Sequence, residues 1–277
     1  MNFKLGRFQQ AIDLGNKLLK KSNKLYESDL SKIVGESHFN LKNYKESLPF
    51  LVAYKGIKDK WTNEDFYQLG YAYYSEKKYD SAIDQFNKII NQSNSLSQNA
   101  FYHLGDCYLK EEKKIEALSA FKKASEMNFN KKIKEDALLQ YAKLGFEIGN
   151  PFESYTNVLI RFLNNYPKNK YSEKIKSLLV LSYTNGGDYD SAIKILKSAN
   201  PFKDEVTLQK VLYLKALELY RNGLYIDAQP FLSNSVKLDK NLIVTARSLL
   251  LNGQSQFESN SYGCLLYTSP SPRDTIR

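Results

Sequence analysis

The chain is short of the residues that carry most enzymatic and metal chemistry. It has two Cys and two His in 277 residues. Two Cys can build neither a disulfide scaffold nor a cysteine-rich zinc site. His38 and His103 leave little for a histidine-based metal centre or a catalytic triad. No phosphate-binding glycine loop, nucleophile elbow or HExxH stretch occurs. No apolar run approaches the roughly 20 residues that span a bilayer, and a mean hydropathy of -0.50 excludes a polytopic membrane protein.

Aromatic residues, by contrast, are plentiful: 21 Tyr and 15 Phe. They bury large areas, so the chain is not disordered, and its length suits one or two ordinary domains. The net charge is +10, with a pI near 9.2. That balance can serve nucleic acid or anionic lipid when the charge is clustered. Here Lys comes in short groups, such as Lys20-Lys21, Lys77-Lys78, Lys113-Lys114 and Lys131-Lys132, with Asp or Glu near most of them. The expectation is a solvated surface rather than a nucleic-acid face.

A repeat organises the sequence. Phe66-Tyr67-Gln68-Leu69-Gly70-Tyr71-Ala72-Tyr73-Tyr74, followed by Tyr79, Ala82, Ile83 and Phe86, has a counterpart in Phe101-Tyr102-His103-Leu104-Gly105-Asp106-Cys107-Tyr108, followed by Ala117, Leu118 and Phe121. A first small site falls at Gly35, Gly70, Gly105, Ala142, Val180, Ala216 and Gly253, in steps of 35, 35, 37, 38, 36 and 37 residues. Val180 departs from the small-residue rule. A second site, twelve residues on, falls at Ala11, Ser47, Ala82, Ala117, Ser154, Ala192 and Ala228. Apolar residues recur with the period of an amphipathic helix. Small residues stand where two helix backbones approach closely. Short polar turns separate the sites: Leu41-Lys42-Asn43-Tyr44, Glu76-Lys77-Lys78-Tyr79 and Asn185-Gly186-Gly187-Asp188-Tyr189. The pattern predicts antiparallel helix pairs stacked in series.

This pattern resembles the tetratricopeptide repeat over nearly all of residues 1–263. The resemblance implies an all-α fold, a right-handed α-solenoid of antiparallel helix pairs. It implies a partial repeat at 1–28, five full repeats at about 29–238 and a partial repeat at 239–263. Phe162-Leu163-Asn164-Asn165-Tyr166-Pro167, with Tyr171-Ser172-Glu173, is similar to repeats of bacterial cell-envelope proteins, the outer-membrane assembly lipoproteins and the Tol-Pal coordinator among them. That finer likeness points to the periplasm or the outer membrane, with the cytoplasm as the alternative.

Both ends are expected to be non-native. Residues 264–274, Cys264-Leu265-Leu266-Tyr267-Thr268-Ser269-Pro270-Ser271-Pro272-Arg273-Asp274, resemble a translated sequencing adapter, and 264–277 are set aside from the fold as a non-native tail. Met1 enters in mid-repeat. Cys107 is then the one cysteine of the genuine part, expected as a small buried hydrophobe rather than a nucleophile.

In this family the first helix of each pair lines a concave groove that binds peptides or partner helices. Residues one turn either side of the small site should face it: Lys32, Glu36 and Phe39; Tyr67, Tyr71 and Tyr74; Tyr102, Asp106 and Leu109; Lys143 and Phe146; Tyr213, Leu217 and Tyr220. The partner-binding set is therefore Tyr67, Tyr71, Tyr74, Tyr102, Asp106, Lys143, Tyr213 and Tyr220. Tyrosine gives contact area and a hydroxyl at low entropy cost. The competing reading has these rings packed against neighbouring helices. The family's carboxylate clamp is not supported, because Glu36, Tyr71, Asp106 and Leu217 stand where it would need Asn. His38 and His103 are expected to be structural or surface residues rather than metal ligands. Gly186-Gly187-Asp188-Tyr189-Asp190 reads as a turn, since it lacks the spacing of a calcium loop.

The expected function is a non-catalytic protein-interaction scaffold in bacterial envelope assembly. Its partners would be proteins or peptides, with neighbouring repeats of the same chain also possible, and it would have no cofactor, no metal and no nucleic acid. The alternative is the regulatory arm of a larger enzyme or signalling protein whose catalytic domain is missing from this fragment. RNA binding ranks last, because it would need basic groove positions.

Overall fold

The structure is a computed structural model that describes residues 2–21, 26–56, 60–198 and 204–259. The adapter-like stretch and the start at Met1 lie outside the described residues. The chain divides into two compact units, residues 1–158 and 159–277.

In the first unit a 3₁₀ turn precedes α1 (Phe8–Leu19), α2 (Glu27–Asn40), α3 (Tyr44–Ala53), α4 (Asn63–Ser75), α5 (Tyr79–Phe86), α6 (Ser95–Lys110), α7 (Lys114–Glu126) and α8 (Lys131–Ile148). The division falls inside α9 (Tyr155–Asn165). The second unit continues with α10 (Ser172–Asn185), α11 (Tyr189–Lys197), α12 (Glu205–Arg221), α13 (Tyr225–Leu238) and α14 (Leu242–Glu258). Each helix of the first unit from α1 to α8 packs on the next, and α4 and α6 also pack on the helices two places along. The chain is all-α, an α-solenoid of antiparallel helix pairs.

The first small sites fall one each in α2, α4, α6, α8, α10, α12 and α14. Close approach is what makes glycine necessary. A Cβ on Gly70 would lie 2.9 Å from the Phe86 ring, and one on Gly105 would lie 2.7 Å from that of Phe121. Phe86 and Phe121 are buried, and each ring closes its own pair. Val180 is buried too, 2% exposed, and joins Ala192, Ile193, Leu196, Val211 and Leu212 in the core of the second unit.

Five turns share one geometry. Each places a left-handed residue at its centre: Lys42, Lys77, Glu112, Gly187 and Gly223. In the α4–α5 turn the Lys78 N–H donates to the Tyr73 carbonyl at 2.9 Å, and the Lys77 N–H to that of Tyr74 at 3.0 Å. This is the Schellman arrangement, which satisfies the last carbonyls of a helix. The same pair of bonds recurs in the other four turns. Glycine fills the left-handed position in only two of them.

The α8–α9 pair differs. Its connection runs from Gly149 to Ser154, twice the length of the three-residue turns. Ser154, expected as the small site inside a second helix, precedes α9 instead. Val158 takes the equivalent place, three residues after the helix start, and is fully buried. The longer α8 and the inserted residues shift the register by four. Asn150 organises the insertion: its Oδ1 accepts the N–H groups of Phe152 at 3.0 Å and Glu153 at 3.4 Å. The buried Tyr141 hydroxyl donates to Glu153 Oε1 at 3.0 Å.

Two buried glutamines, each seven residues before a small site, latch one repeat to the next. Gln98 Nε2 donates to the carbonyls of Ala124 and Met127, and its Oε1 accepts the Asn130 N–H at 2.7 Å. In the second unit Gln209 Oε1 accepts from Lys240 and Asn241 at 3.0 and 2.8 Å, while its Nε2 donates to Thr245 Oγ1 at 2.8 Å. Asn130 and Asn241 in turn cap α8 and α14. A buried amide is favourable only when its groups are paired, so these side chains fix where the next first helix begins.

Candidate partner-binding surface

The small sites set which residues of each first helix share a face, and on α4 that face carries Tyr67, Tyr71 and Tyr74. The three rings form a row, with centroids 6.2 Å apart from Tyr67 to Tyr71 and 5.8 Å from Tyr71 to Tyr74. From α6, His103 enters the row. Its ring lies 6.2, 5.0 and 5.1 Å from those three tyrosines, 5.7 Å from Phe86 and 5.6 Å from Tyr102. Phe39 of α2 and Tyr44 of α3 lean edge-on against Tyr71 at 5.7 and 5.1 Å. The result is a continuous aromatic ladder across α2, α4 and α6. His103 and the tyrosines are all part-exposed, but the imidazole Nδ1 is covered.

Charge runs beside the ladder. The Tyr74 hydroxyl donates to Asp106 Oδ2. Lys32 of α2 reaches Asp65 of α4, Nζ to Oδ1 2.6 Å, and sits 4.7 Å over the Tyr54 ring. Asp65 is 4% exposed and also closes a capping box with Thr62 at the start of α4. Lys32 is therefore spent on an inter-repeat ion pair rather than offered to a ligand. Burial works against its charge, but the hydrogen bond and the charge of Asp65 hold its pKa above the ordinary value. Glu36, 3.8 Å from Lys32, is pushed up by burial first and by Asp65 second, against the pull of Lys32.

The same forces act on the rings. Burial, then Asp106, raises the Tyr74 hydroxyl. Burial, then Asp136 and Asp106, raises that of Tyr102, and burial, then Tyr71, raises that of Tyr67. These hydroxyls stay protonated; that of Tyr74 is spent on Asp106, while those of Tyr67 and Tyr102 can donate. Burial pushes the His103 imidazole down to about 4, against the opposite pull of Asp106, so it is neutral near pH 7. Its Nδ1 is buried without a hydrogen-bond partner. Burial pushes the Cys107 thiol up to about 12, which suits a fully buried hydrophobe and not a thiolate nucleophile.

The expected set is thus only partly brought together. Tyr67, Tyr71, Tyr74 and Asp106 stand in one ladder, and Tyr102 joins it through His103. Lys143 and Phe146 stand on α8, with Phe146 edge-on to Tyr155 at 5.8 Å. Tyr213, Leu217 and Tyr220 belong to the second unit, where they pack around Ala216, Ala228 and Leu232. Tyr220 also meets Tyr225 at 5.1 Å. Sequence reasoning missed His103 as the hub of the ladder. The signal was present: it stands two residues before Gly105, the position that faces the preceding first helix. It missed Asp65 and Tyr44 as well, since their partners are about one repeat away.

Comparisons with known proteins agree with the fold. Residues 50–124 match the family model described as anaphase-promoting complex, cyclosome, subunit 3. No curated protein sequence is significantly similar to the chain. Among solved structures, Naa15/Naa10 bound to HypK-THB is similar at 16% identity and a TM-score of 0.53, covering 87% of this chain and 36% of that one. The C-terminal part of a TPR repeat-containing protein from Cytophaga hutchinsonii is similar at 16% identity and a TM-score of 0.49, covering 89% and 96%. The TPR2AB domain of yeast Sti1, solved in complex with pHSP90, gives 15% identity and a TM-score of 0.44, covering 87% of each chain. The likeness to Naa15/Naa10 supports the fold, a stack of helix pairs. Among the described residues, no helix is long and apolar enough to cross a membrane, and no group of three or more His, Cys, Asp or Glu is placed to hold a metal ion.

Proposed function

We propose that this chain is a non-catalytic protein-interaction scaffold, whose first-helix face in the first unit holds an extended or helical segment of a partner protein. The aromatic ladder of Tyr67, Tyr71, Tyr74 and Tyr102 around His103 carries this reading. Its rings are held rigid by one another, so binding costs little side-chain entropy, and the hydroxyls of Tyr67 and Tyr102 supply donors along an apolar strip. The complexes of similar structures support it by analogy: Naa15/Naa10 is bound to HypK-THB, and the Sti1 domain is in complex with pHSP90. The likeness of Phe162 to Pro167 and Tyr171 to Glu173 to envelope-protein repeats supports a place in bacterial envelope assembly. On this reading residues 1–263 are one repeat array and 264–277 are foreign to it. A signal peptide or lipoprotein cysteine encoded upstream of codon 1 would support that placement.

The test uses peptides selected against the purified chain by phage display. Replacing both Tyr71 and Tyr102 with Ala should cost at least tenfold in affinity, the size expected of buried tyrosine anchors. Tyr26→Ala, on an exposed residue away from the ladder, should cost nothing. A helical circular-dichroism spectrum and an unchanged melting transition would show that the array still folds. Selected peptides that bind the double variant as well as the parent would refute the ladder as the binding surface.

A further inference from the structure

We infer that the seam between α10 and α12 is a socket for one aromatic side chain of an extended partner segment, next to an acidic residue of that segment held by Lys210. This rests on the scaffold reading and adds a second, chemically defined anchor to it. The inference comes from comparing equivalent seams. On α4, the positions three before, one after and four after the small site are Tyr67, Tyr71 and Tyr74, and with His103 of α6 they close that seam with rings. On α10 the same three positions hold Ser177, Leu181 and Thr184. These side chains are too small to do the same. A hollow of about 190 Å³ remains, walled by α10 on one side and by Thr207, Lys210 and Val211 of α12 on the other.

The lining is apolar where it matters. Val180, Leu181 and Val211 line it; Val180 and Val211 are buried, and Leu181 is 46% exposed. The threonines offer methyl groups, because their hydroxyls are already engaged. Thr184 Oγ1 donates to the Val180 carbonyl at 2.8 Å, and Thr207 Oγ1 donates to Asp204 Oδ2 at 2.6 Å. Asp204 is itself committed to capping α12, accepting the Thr207 N–H at 2.9 Å. Its charge is offset by the helix N-terminus. Lys210 is exposed and makes no ion pair among the described residues. The hollow is below the roughly 300–1,000 Å³ of small-molecule pockets, and it fits a single ring. Lys210 then selects a neighbouring carboxylate, in keeping with a net charge of +10 on the chain.

The probe is a blocked hexapeptide, Ser-Gly-Phe-Asp-Gly-Ser, titrated into the full chain carrying labelled methyl groups. Ring-current shifts should appear at the methyls of Val180, Leu181 and Val211, with millimolar affinity. A peptide with Ala in place of Phe should leave them unmoved. Lys210→Ser should weaken the Asp peptide about threefold and bring it level with a Phe-Lys peptide. Leu181→Trp should abolish the shifts by filling the socket. Ser177→Phe, which offers a ring in cis from an exposed position, should do the same should the first variant fail to fold. Silent methyls, equal binding of the Ala peptide, or equal binding of the Asp and Lys peptides to the parent chain would overturn the inference. If these methyls stay silent while Tyr71→Ala/Tyr102→Ala still destroys capture of selected peptides, the scaffold reading stands and the socket falls. If the methyls respond and the ladder variants bind normally, the socket stands alone.

Discussion

His103 makes the first unit sensitive to acid, and His103→Phe should remove that sensitivity. The imidazole is held near pKa 4 against an ordinary value of 6.5, because burial among the rings of Tyr67, Tyr71, Tyr74, Tyr102 and Phe86 disfavours its charged form. The unfolded chain therefore binds this proton first as the pH falls. The stability that the neutral ring contributes is fully present above pH 6.5 and is lost as the pH drops toward 4. A shift of this size is worth about 3 kcal/mol, of which about 2 kcal/mol goes between pH 6.5 and 5. Asp106 favours the imidazolium and is already part of that balance. Glu36, raised above its ordinary value, works the other way, since it gains stability in acid. Urea unfolding of the parent and the His103→Phe variant at half-unit pH steps from 7.5 to 4.5 isolates the histidine. Phe keeps a flat ring in the ladder and removes the unpaired Nδ1, so stability at pH 7 should hold within about 1 kcal/mol. The difference between the two chains should grow by about 2 kcal/mol on going to pH 5. Parallel pH profiles would refute the idea that His103 is buried uncharged.

Three further outcomes follow from the packing. Gly105→Ala should destabilise the chain by about 1–2 kcal/mol, because the added methyl meets the buried Phe121 ring at 2.7 Å and only part of that cost returns through helix preference. Phe121→Leu should reduce the penalty in a double-mutant cycle, and additive effects would show that the two do not touch. Lys77→Gly should stabilise by about 0.5–1 kcal/mol in thermal melts, by relieving a left-handed lysine at φ 59°; a loss of stability would contradict the turn geometry. Gln98→Met should cost about 2–4 kcal/mol, since it strands the Asn130 N–H and two buried carbonyls, and amide exchange should speed up first at the start of α8.

The fold was largely legible because its information is local and repeated. A small residue every 35 to 38 positions can be read without knowing what it touches, and the structure shows why it is small: a phenylalanine or leucine of the paired helix sits on it at Gly35, Gly70 and Gly105. The reading slipped at Ser154. There an inserted connection moved the register to Val158, and twelve-residue spacing carries no sign of an insertion. The candidate surface was legible as a set of positions and not as a set of contacts. Lys32 belonged on the expected face, yet Asp65, 33 residues away, takes its charge at 2.6 Å. At Val180 the departure from the small-residue rule could be seen. The hollow beside it could not, because it depends on what α12 places opposite.

Sequence alone determined the class of secondary structure, the pairing of the helices, the position of the turns and the excess of tyrosine on α4, since all of these follow from periodicity and residue type within one repeat. Tertiary structure decided which side chains of successive first helices meet. It placed His103 at the centre of the aromatic ladder, tied Lys32 to Asp65 and set Gln98 and Gln209 as latches between repeats. It also closed one seam with rings while leaving another open. Those outcomes depend on distances between residues about a repeat apart, and only the stacked helices fix such distances.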